Sequence, residues 1–462
     1  MASTRQFSDL RNFLSVLEAT GNLVHFREEL STQYEIAAAI KYIARHIGKT
    51  VVFDKVKGYD IPVVGNLFAS RKHLAIAFRV REEELDQTYL TRAENPIRPT
   101  MLDTGLVQEV IIKDDINIQR SIPVLTYHEK DAGPYMTSAV AIAKDPETGI
   151  RGMGVHRIQI KNRDTIGIFL ATPPLSDFLT KAEAAGKPLH IAIASGVDPL
   201  IFCAAIFSAP KGVDKFDIAG GFAEAPIDLV KCCSVDVEVP ASAEFVLEGY
   251  IIPRVREKEG PFGESTGYYM TFNNPVGKIT AITHRSKPIY HALVPFTGEE
   301  TILAQIMTRR YLLKTTREAC PDVCVLDLSS LGIAGLCVVQ IDKKKDEDAQ
   351  KVIDQLLPAP HVKVVVVVDG DIDIFELSEI AWAITTRVRP DKDVTIKSGL
   401  PGLAIDPSVG SLEKSDLGRL VGQSAKLGID ATKPLKELAN FERIGMPAEV
   451  EEKILRLMEV IK

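Results

Sequence analysis

The hydrophobic period of this chain changes twice, and that change constrains the fold more than any single motif. Residues 7–19 place Phe7, Leu10, Leu14 and Leu17 on one helical face, with Gly21 as a stop. Residues 34–47 and 71–78 read as further helices, and 51–53 and 62–64 as short strands with Gly58 in the turn between them. The segment 82–99 is charged, carries Pro96 and Pro99, and reads as a linker. From Val107 strand follows strand: 107–112, 138–143, 154–160 and 165–170, divided by turn signals such as Asp145-Pro146-Glu147-Thr148-Gly149 and Asn162-Arg163-Asp164. A helix is expected over 176–185 and a strand over 190–194. After a loop at Gly220-Gly221, strands are expected over 228–238, 243–252, 278–284 and 289–293. Beyond about Thr301 the α/β alternation returns, with strands at 323–328 and 336–341 and a helix at 346–357. Residues 363–368 form a β-branched run suited to a strand buried on both faces. A helix over 376–389, a glycine-containing tail segment at 422–432 and a last helix over 447–461 complete the chain. Short connections between many central strands predict a β-barrel or sandwich with an inserted helix, flanked by α/β units.

A chain of 462 residues exceeds one core, so several domains are expected. The formal charge of -7, without a Lys/Arg block, argues against nucleic acid as a main partner. The longest apolar runs, 201–207 and 364–368, are too short for a bilayer, and residues 1–10 lack an apolar signal core. Six cysteines in this length make no disulfide framework and no zinc spacing; they read as reduced, mostly buried thiols of a cytoplasmic protein.

Two stretches carry chemistry. Arg256 to Tyr269 reads R-E-K-E-G-P-F-G-E-S-T-G-Y-Y. Its Gly-Pro and Phe-Gly steps break regular structure, so a loop with specified backbone angles is expected. Such a loop can aim Glu259 and Glu264 inward together as acid/base groups, or it is a solvated acidic turn. The second stretch is G-M-G-V-H-R-I-Q, Gly152 to Gln159. Within a strand His156 and Arg157 face opposite ways. An arginine in an apolar strand needs an anion: either a structural carboxylate or a ligand's phosphate or carboxylate. Asp369, Asp371 and Asp373 close the β-branched run and are either functional or, for Asp373, a helix N-cap. No P-loop, H-E-x-x-H or G-x-S-x-G is present.

E-G-P-F-G-E-x-x-G-Y (Glu259 to Tyr268) resembles the signature of the UbiD family of decarboxylases. The likeness extends over nearly the whole chain: K-A-E-A-A-G-K-P-L from Lys181, V-P-A-S-A-E-F-V-L-E-G from Val239, D-x-D-I-F from Asp371, W-A-I-T-T-R from Trp382 and the tail K-L-G-I-D-A-T. The resemblance implies a mixed α+β fold: an N-terminal α/β element (1–100), a central split β-barrel of flavin-reductase type (101–300), a C-terminal α/β oligomerisation domain (301–410) and a tail (411–462). It implies a homodimer or higher homo-oligomer. The implied activity is reversible non-oxidative decarboxylation of an aromatic, heteroaromatic or α,β-unsaturated acid through a prenylated-FMN adduct, the cofactor coming from a separate flavin prenyltransferase.

Carried over, Arg157, Glu259 and Glu264 are the family's Glu–Arg–Glu network, with Glu264 as proton donor. Gly152, Gly154, Val155, Arg157, Leu175, Ala209, Pro210 and Lys215 fall at cofactor-binding positions, and residues 296–300 at the substrate pocket. Family members hold a divalent metal such as manganese with Asn, His and Glu, which bridges the flavin phosphate. Here Gly152, Leu175 and Lys215 occupy those positions, so no metal site is expected, and the Lys215 ammonium is read as standing in for the metal charge. A non-catalytic subunit on the same scaffold, or an enzyme of another phosphorylated cofactor, is the alternative.

Overall fold

Asp9 starts the first helix. Its carboxylate accepts the Asn12 N–H, and Leu10, Phe13, Leu14 and Leu17 form the buried stripe of Leu10–Ala19. The computed structural model describes residues 9–328, 335–409, 412–414 and 420–458, so Phe7 and Ile461, the outer ends of two expected helices, lie outside the described residues. A second helix, Glu35–His46, turns Ile36, Ala37, Ile40 and Ile43 inward against a small sheet. That sheet runs Leu23–Phe26, Thr50–Phe53, Val63–Gly65 and, far along the chain, Tyr290–Ala292. Tyr290–Ala292 pairs in parallel with Val63–Gly65 and stitches the opening unit to the central one.

The central sheet has nine strands. One edge carries Tyr135–Met136 and Ile158–Ile160; the other ends in Arg151–Val155. Arg151–Val155 at one edge and Ile158–Ile160 beside the other are consecutive in sequence, joined only by His156 and Arg157, a link too short to leave the edges far apart. The sheet must curl to allow it. The hairpin Phe245–Gly263 and Tyr269–His284 forms the long middle of the sheet. A third sheet pairs Thr100–Met101, Asp228–Lys231 and Glu238–Pro240. The C-terminal part is built on six strands, with the all-valine centre of Val362–Asp369 flanked in parallel by Gly335–Ile341 and Leu420–Ala431.

Several expectations are corrected. Residues 82–99 are not a plain linker: a turn, Glu82–Glu84, leads into the helix Leu85–Ala93, whose Leu85, Tyr89 and Ala93 recur every four residues and are buried beneath the charges. Gly220-Gly221 is not a loop but lies inside the helix Lys215–Ala223, where the missing side chains let the backbone carbonyls of Ile97 and Arg92 approach. The expected strand 228–238 is two short strands that pair with each other. The strand expected at 154–160 breaks at His156 and Arg157, because its two halves pair with different neighbours.

Candidate active site

The hairpin carries the first two acid groups. Residues 256–269, expected as a loop, are mostly strand: Phe245–Gly263 runs through Glu259, and only 264–268 bend before Tyr269–His284 returns. Glu259 and Glu264 are five apart, which in an uninterrupted strand aims them at opposite faces. The register shifts between Glu259 and Phe262, where Gly260 sits at φ 106°. This bulge breaks the alternation, and both carboxyls reach Arg157. A Cβ at Gly260 would lie 2.6 Å from the Met270 carbonyl, so glycine is required on both counts.

Arg157 comes from the two-residue link between the sheet's ends. His156 and Arg157 do not alternate about a strand; both are buried. His156 holds the Phe169 carbonyl through Nδ1 (2.8 Å), and burial pushes its imidazole down to about 4, so it is neutral. The Arg157 guanidinium is enclosed by Phe169 (4.3 Å), Phe262 (5.1 Å) and Phe272 (5.5 Å). It donates through Nε (3.0 Å) and Nη2 (2.8 Å) to Glu259 and through Nη1 to Glu264.

The two glutamates are not equivalent. Glu259, with no exposed surface, accepts both Arg157 bonds and a third from Asn274 Nδ2 (2.8 Å). Glu264 has one arm of the same guanidinium. One positive charge faces two buried carboxyls, and an unbalanced buried anion is costly. The higher proton affinity therefore falls on the carboxyl with fewer hydrogen bonds, Glu264. Burial and the Glu259 charge raise the Glu264 pKa, and Arg157 offsets them incompletely. The arrangement is a fixed ion pair beside a carboxyl whose proton affinity burial has raised, which is the direction a general acid needs.

The tip that bears Glu264 is clamped. Asp131 accepts the Gly263 N–H (2.9 Å), the Ser265 hydroxyl donates to Glu300 (2.9 Å) and the Thr266 hydroxyl donates to the Ile405 carbonyl (2.9 Å). Phe296, at φ 58°, lies over Gly267. Glu300 and Phe296 sit in the segment expected to face a substrate; Asn274, Asp131, Phe169 and Phe272 were not anticipated. Asn274, a buried amide within a long strand, is the one whose polarity was a usable signal.

The remaining expected positions lie on one strand, two helices and the loop before the second helix. Gly152, Gly154 and Val155 lie on Arg151–Val155, and the first residue of Leu175–Ala184 is Leu175, fully buried in the apolar core. Lys215 opens the helix Lys215–Ala223, is buried, and donates to the Ala205 carbonyl (2.8 Å). Its charge reaches His156. Ala209 and Pro210 are in the loop before that helix, half-buried and exposed. The three positions at which the resemblance expects metal ligands do not suit a metal. A Cβ at Gly152 would stand 2.6 Å from Pro174 Cγ and 2.7 Å from Phe178 Cε2, leaving no space for a ligating side chain. Leu175 offers no donor and Lys215 carries the wrong charge.

The aspartates at the end of Val362–Asp369 are structural rather than catalytic. Arg387 pairs with Asp369 (3.0 Å) and Asp371 (2.7 Å), and its side chain is sealed from solvent. Asp373 accepts the Phe375 N–H (2.9 Å), while the helix Leu377–Arg387 starts from Glu376.

Comparison with known proteins agrees with this geometry. Family models for the N-terminal, Rift-related and C-terminal domains of 3-octaprenyl-4-hydroxybenzoate carboxy-lyase match residues 14–93, 100–298 and 301–431. The anhydromevalonate phosphate decarboxylase of Methanothermobacter thermautotrophicus is 34% identical over 439 residues, covering 94% of this chain and 99% of the relative. The phenolic acid decarboxylase of Sedimentibacter hydroxybenzoicus is 35% identical, covering 99% and 98%. The UbiD-class enzyme HmfF from Pelotomaculum thermopropionicum, solved in complex with FMN, superposes with a TM-score of 0.88 at 39% identity, covering 95% of this chain and 97% of that one. An evolved dimeric form of HmfF, solved with prFMN, superposes with a TM-score of 0.85. The chain belongs to the UbiD family of decarboxylases.

Proposed function

We propose that this protein catalyses the reversible, non-oxidative decarboxylation of an aromatic, heteroaromatic or α,β-unsaturated carboxylic acid with prenylated FMN, and that Glu264 delivers the proton to carbon. The observation that carries the proposal is the asymmetry of the buried trio: Glu259 is saturated by Arg157 and Asn274, while burial and the Glu259 charge raise the proton affinity of Glu264. When bound, the prenylated flavin supplies the electron sink that loss of CO2 requires. The residues present suit such a group. Gln159 Oε1 is buried without a hydrogen-bond partner among the described residues, and Lys215 is a buried cation near Gly154 and His156. In this reading Lys215 holds the flavin phosphate in place of a metal ion. Gly152, Gly154, Val155, Leu175, Ala209 and Pro210 form the wall beside it. Arg157 fixes Glu259, screens Glu264 and keeps it within reach of the reacting carbon.

We also read the curled nine-stranded sheet as a split barrel of flavin-reductase type, open at the seam that His156 and Arg157 cross. The cofactor comes from a flavin prenyltransferase, and the protein works as a cytoplasmic homodimer or higher homo-oligomer. Six unpaired cysteines and the exposed apolar Ile444, Met446 and Leu457 support these last two points. The deciding experiment is Glu264→Gln in protein loaded with prenylated FMN, tested for CO2 release from a panel of such acids. The variant keeps the Arg157–Glu259 pair, so its melting temperature should stay near wild type while turnover falls by ~10²-fold or more. Full activity would end the assignment.

A further inference from the structure

A second cation lies near Glu300 and Asp131, which hold the tip that bears Glu264. Lys41, on the helix Glu35–His46, donates to His128 Nε2 at 2.6 Å. The other ring nitrogen, Nδ1, lies 3.6 Å from Asp131. The His128 ring leans against Gly263, where any side chain would overlap Nδ1. Asp131 accepts the Gly263 N–H, and also those of Tyr127 (3.2 Å) and His128 (2.9 Å). On the far side of Glu264, Glu300 accepts the Ser265 hydroxyl and the Phe296 N–H (2.6 Å). Burial lowers the Lys41 pKa, and the charges of Glu300 and Asp131 offset this in part. Lys41 thus lies between the two carboxyls that grip the residues on either side of Glu264.

Among the described residues its side-chain hydrogen-bond partner is His128. An ammonium has three N–H donors, and His128 takes one. Among the described residues no carboxylate lies within ion-pair distance of the half-buried Lys41. Arg157, the other cation, is committed to Glu259 and Glu264 through Nε, Nη1 and Nη2. A substrate with a second negative group would therefore find its counter-charge at Lys41 rather than at Arg157.

We propose that Lys41, held by His128, is a specificity residue that binds an anionic oxygen at the end of the substrate remote from the departing carboxylate. This rests on the decarboxylase reading and narrows its substrates to acids with a second anionic group. The test is calorimetric titration of full-length protein loaded with unmodified FMN, which does not turn over. The probes are terephthalate and 4-nitrobenzoate, alike in shape but differing in the charge of the para group. Wild type should bind terephthalate at least ~10-fold more tightly, Lys41→Met should abolish that preference, and Lys41→Arg should retain part of it. Equal affinities in wild type, a preference that survives in Lys41→Met, or binding of neither acid overturns the proposal. The decarboxylase reading is judged separately, by CO2 release from wild type loaded with prenylated flavin across an acid panel, so the two can fail independently.

Discussion

Replacing Glu259 by Gln tests the division of labour between the two glutamates. The amide keeps the shape of the carboxylate, but it has one acceptor oxygen where Glu259 receives three hydrogen bonds, two from Arg157 and one from Asn274. Its NH2 must face either the guanidinium or the Asn274 amide, donor against donor. Removing one partner of a buried ion pair costs ~3–5 kcal/mol when the other charge is stranded. Here Arg157 is not stranded, because Nη1 still reaches Glu264, so the loss should be nearer ~2–3 kcal/mol, the range of charge-assisted bonds. At ~2–4 °C per kcal/mol the melting temperature should fall by ~5–10 °C.

The chemical consequence has a definite sign. With Glu259 neutral, Glu264 becomes the sole counter-ion of Arg157, and its pKa drops from its raised position. The protonated form is then lost at lower pH, and the alkaline limb of the turnover profile moves toward acid. At neutral pH turnover should fall by ~10²-fold, with partial recovery on acidification. Scanning calorimetry and a pH–rate profile on an accepted acid measure both effects. An unchanged melting temperature together with an unchanged alkaline limb would refute the idea that Glu259 holds Arg157 and Glu264 holds the proton.

Two further outcomes are expected. Glu299 is fully buried at the start of Gly298–Ala319, accepts the Phe68 N–H (2.9 Å) and is pushed up to about 8 from 4.5 by burial. The folded protein keeps a proton there that the unfolded chain releases, so this group lowers stability progressively from pH ~4.5 to ~8, by ~4–5 kcal/mol in all. Glu299→Gln has no proton to lose: it should be less stable than wild type at pH 5, where its NH2 lacks an acceptor, and should equal or exceed it at pH 8 in urea midpoint. Gly152→Asn should destabilise by ~1–3 kcal/mol through overlap with Pro174 and Phe178, and elemental analysis should find no manganese retained; a stable, manganese-binding variant would restore a metal to this site.

The strands and helices with a strong period were legible in the chain, including the β-branched centre of Val362–Asp369 and the apolar face of Leu10–Ala19. Apolar spacing reports which face an element buries, and that is a local property. The helix Leu85–Ala93 was missed because charges mask a stripe of three buried residues. The Gly220-Gly221 pair was misread because glycine signals either a turn or a close approach, and only the carbonyls of Ile97 and Arg92 decide between them.

Arg157 stood out in sequence as a charge in an apolar strand that needs an anion, whereas Glu259 and Glu264 were joined to it by the resemblance to the UbiD family. What the residues alone could not decide was how the environments of the two glutamates differ. That depends on Asn274 reaching Glu259, on three phenylalanines closing around one guanidinium, and on a bulge at Gly260 that turns both carboxyls to the same side. Residue types determine which charges exist, whereas proton affinity follows from desolvation and from hydrogen bonds between segments more than a hundred residues apart, and those exist only once the chain has folded.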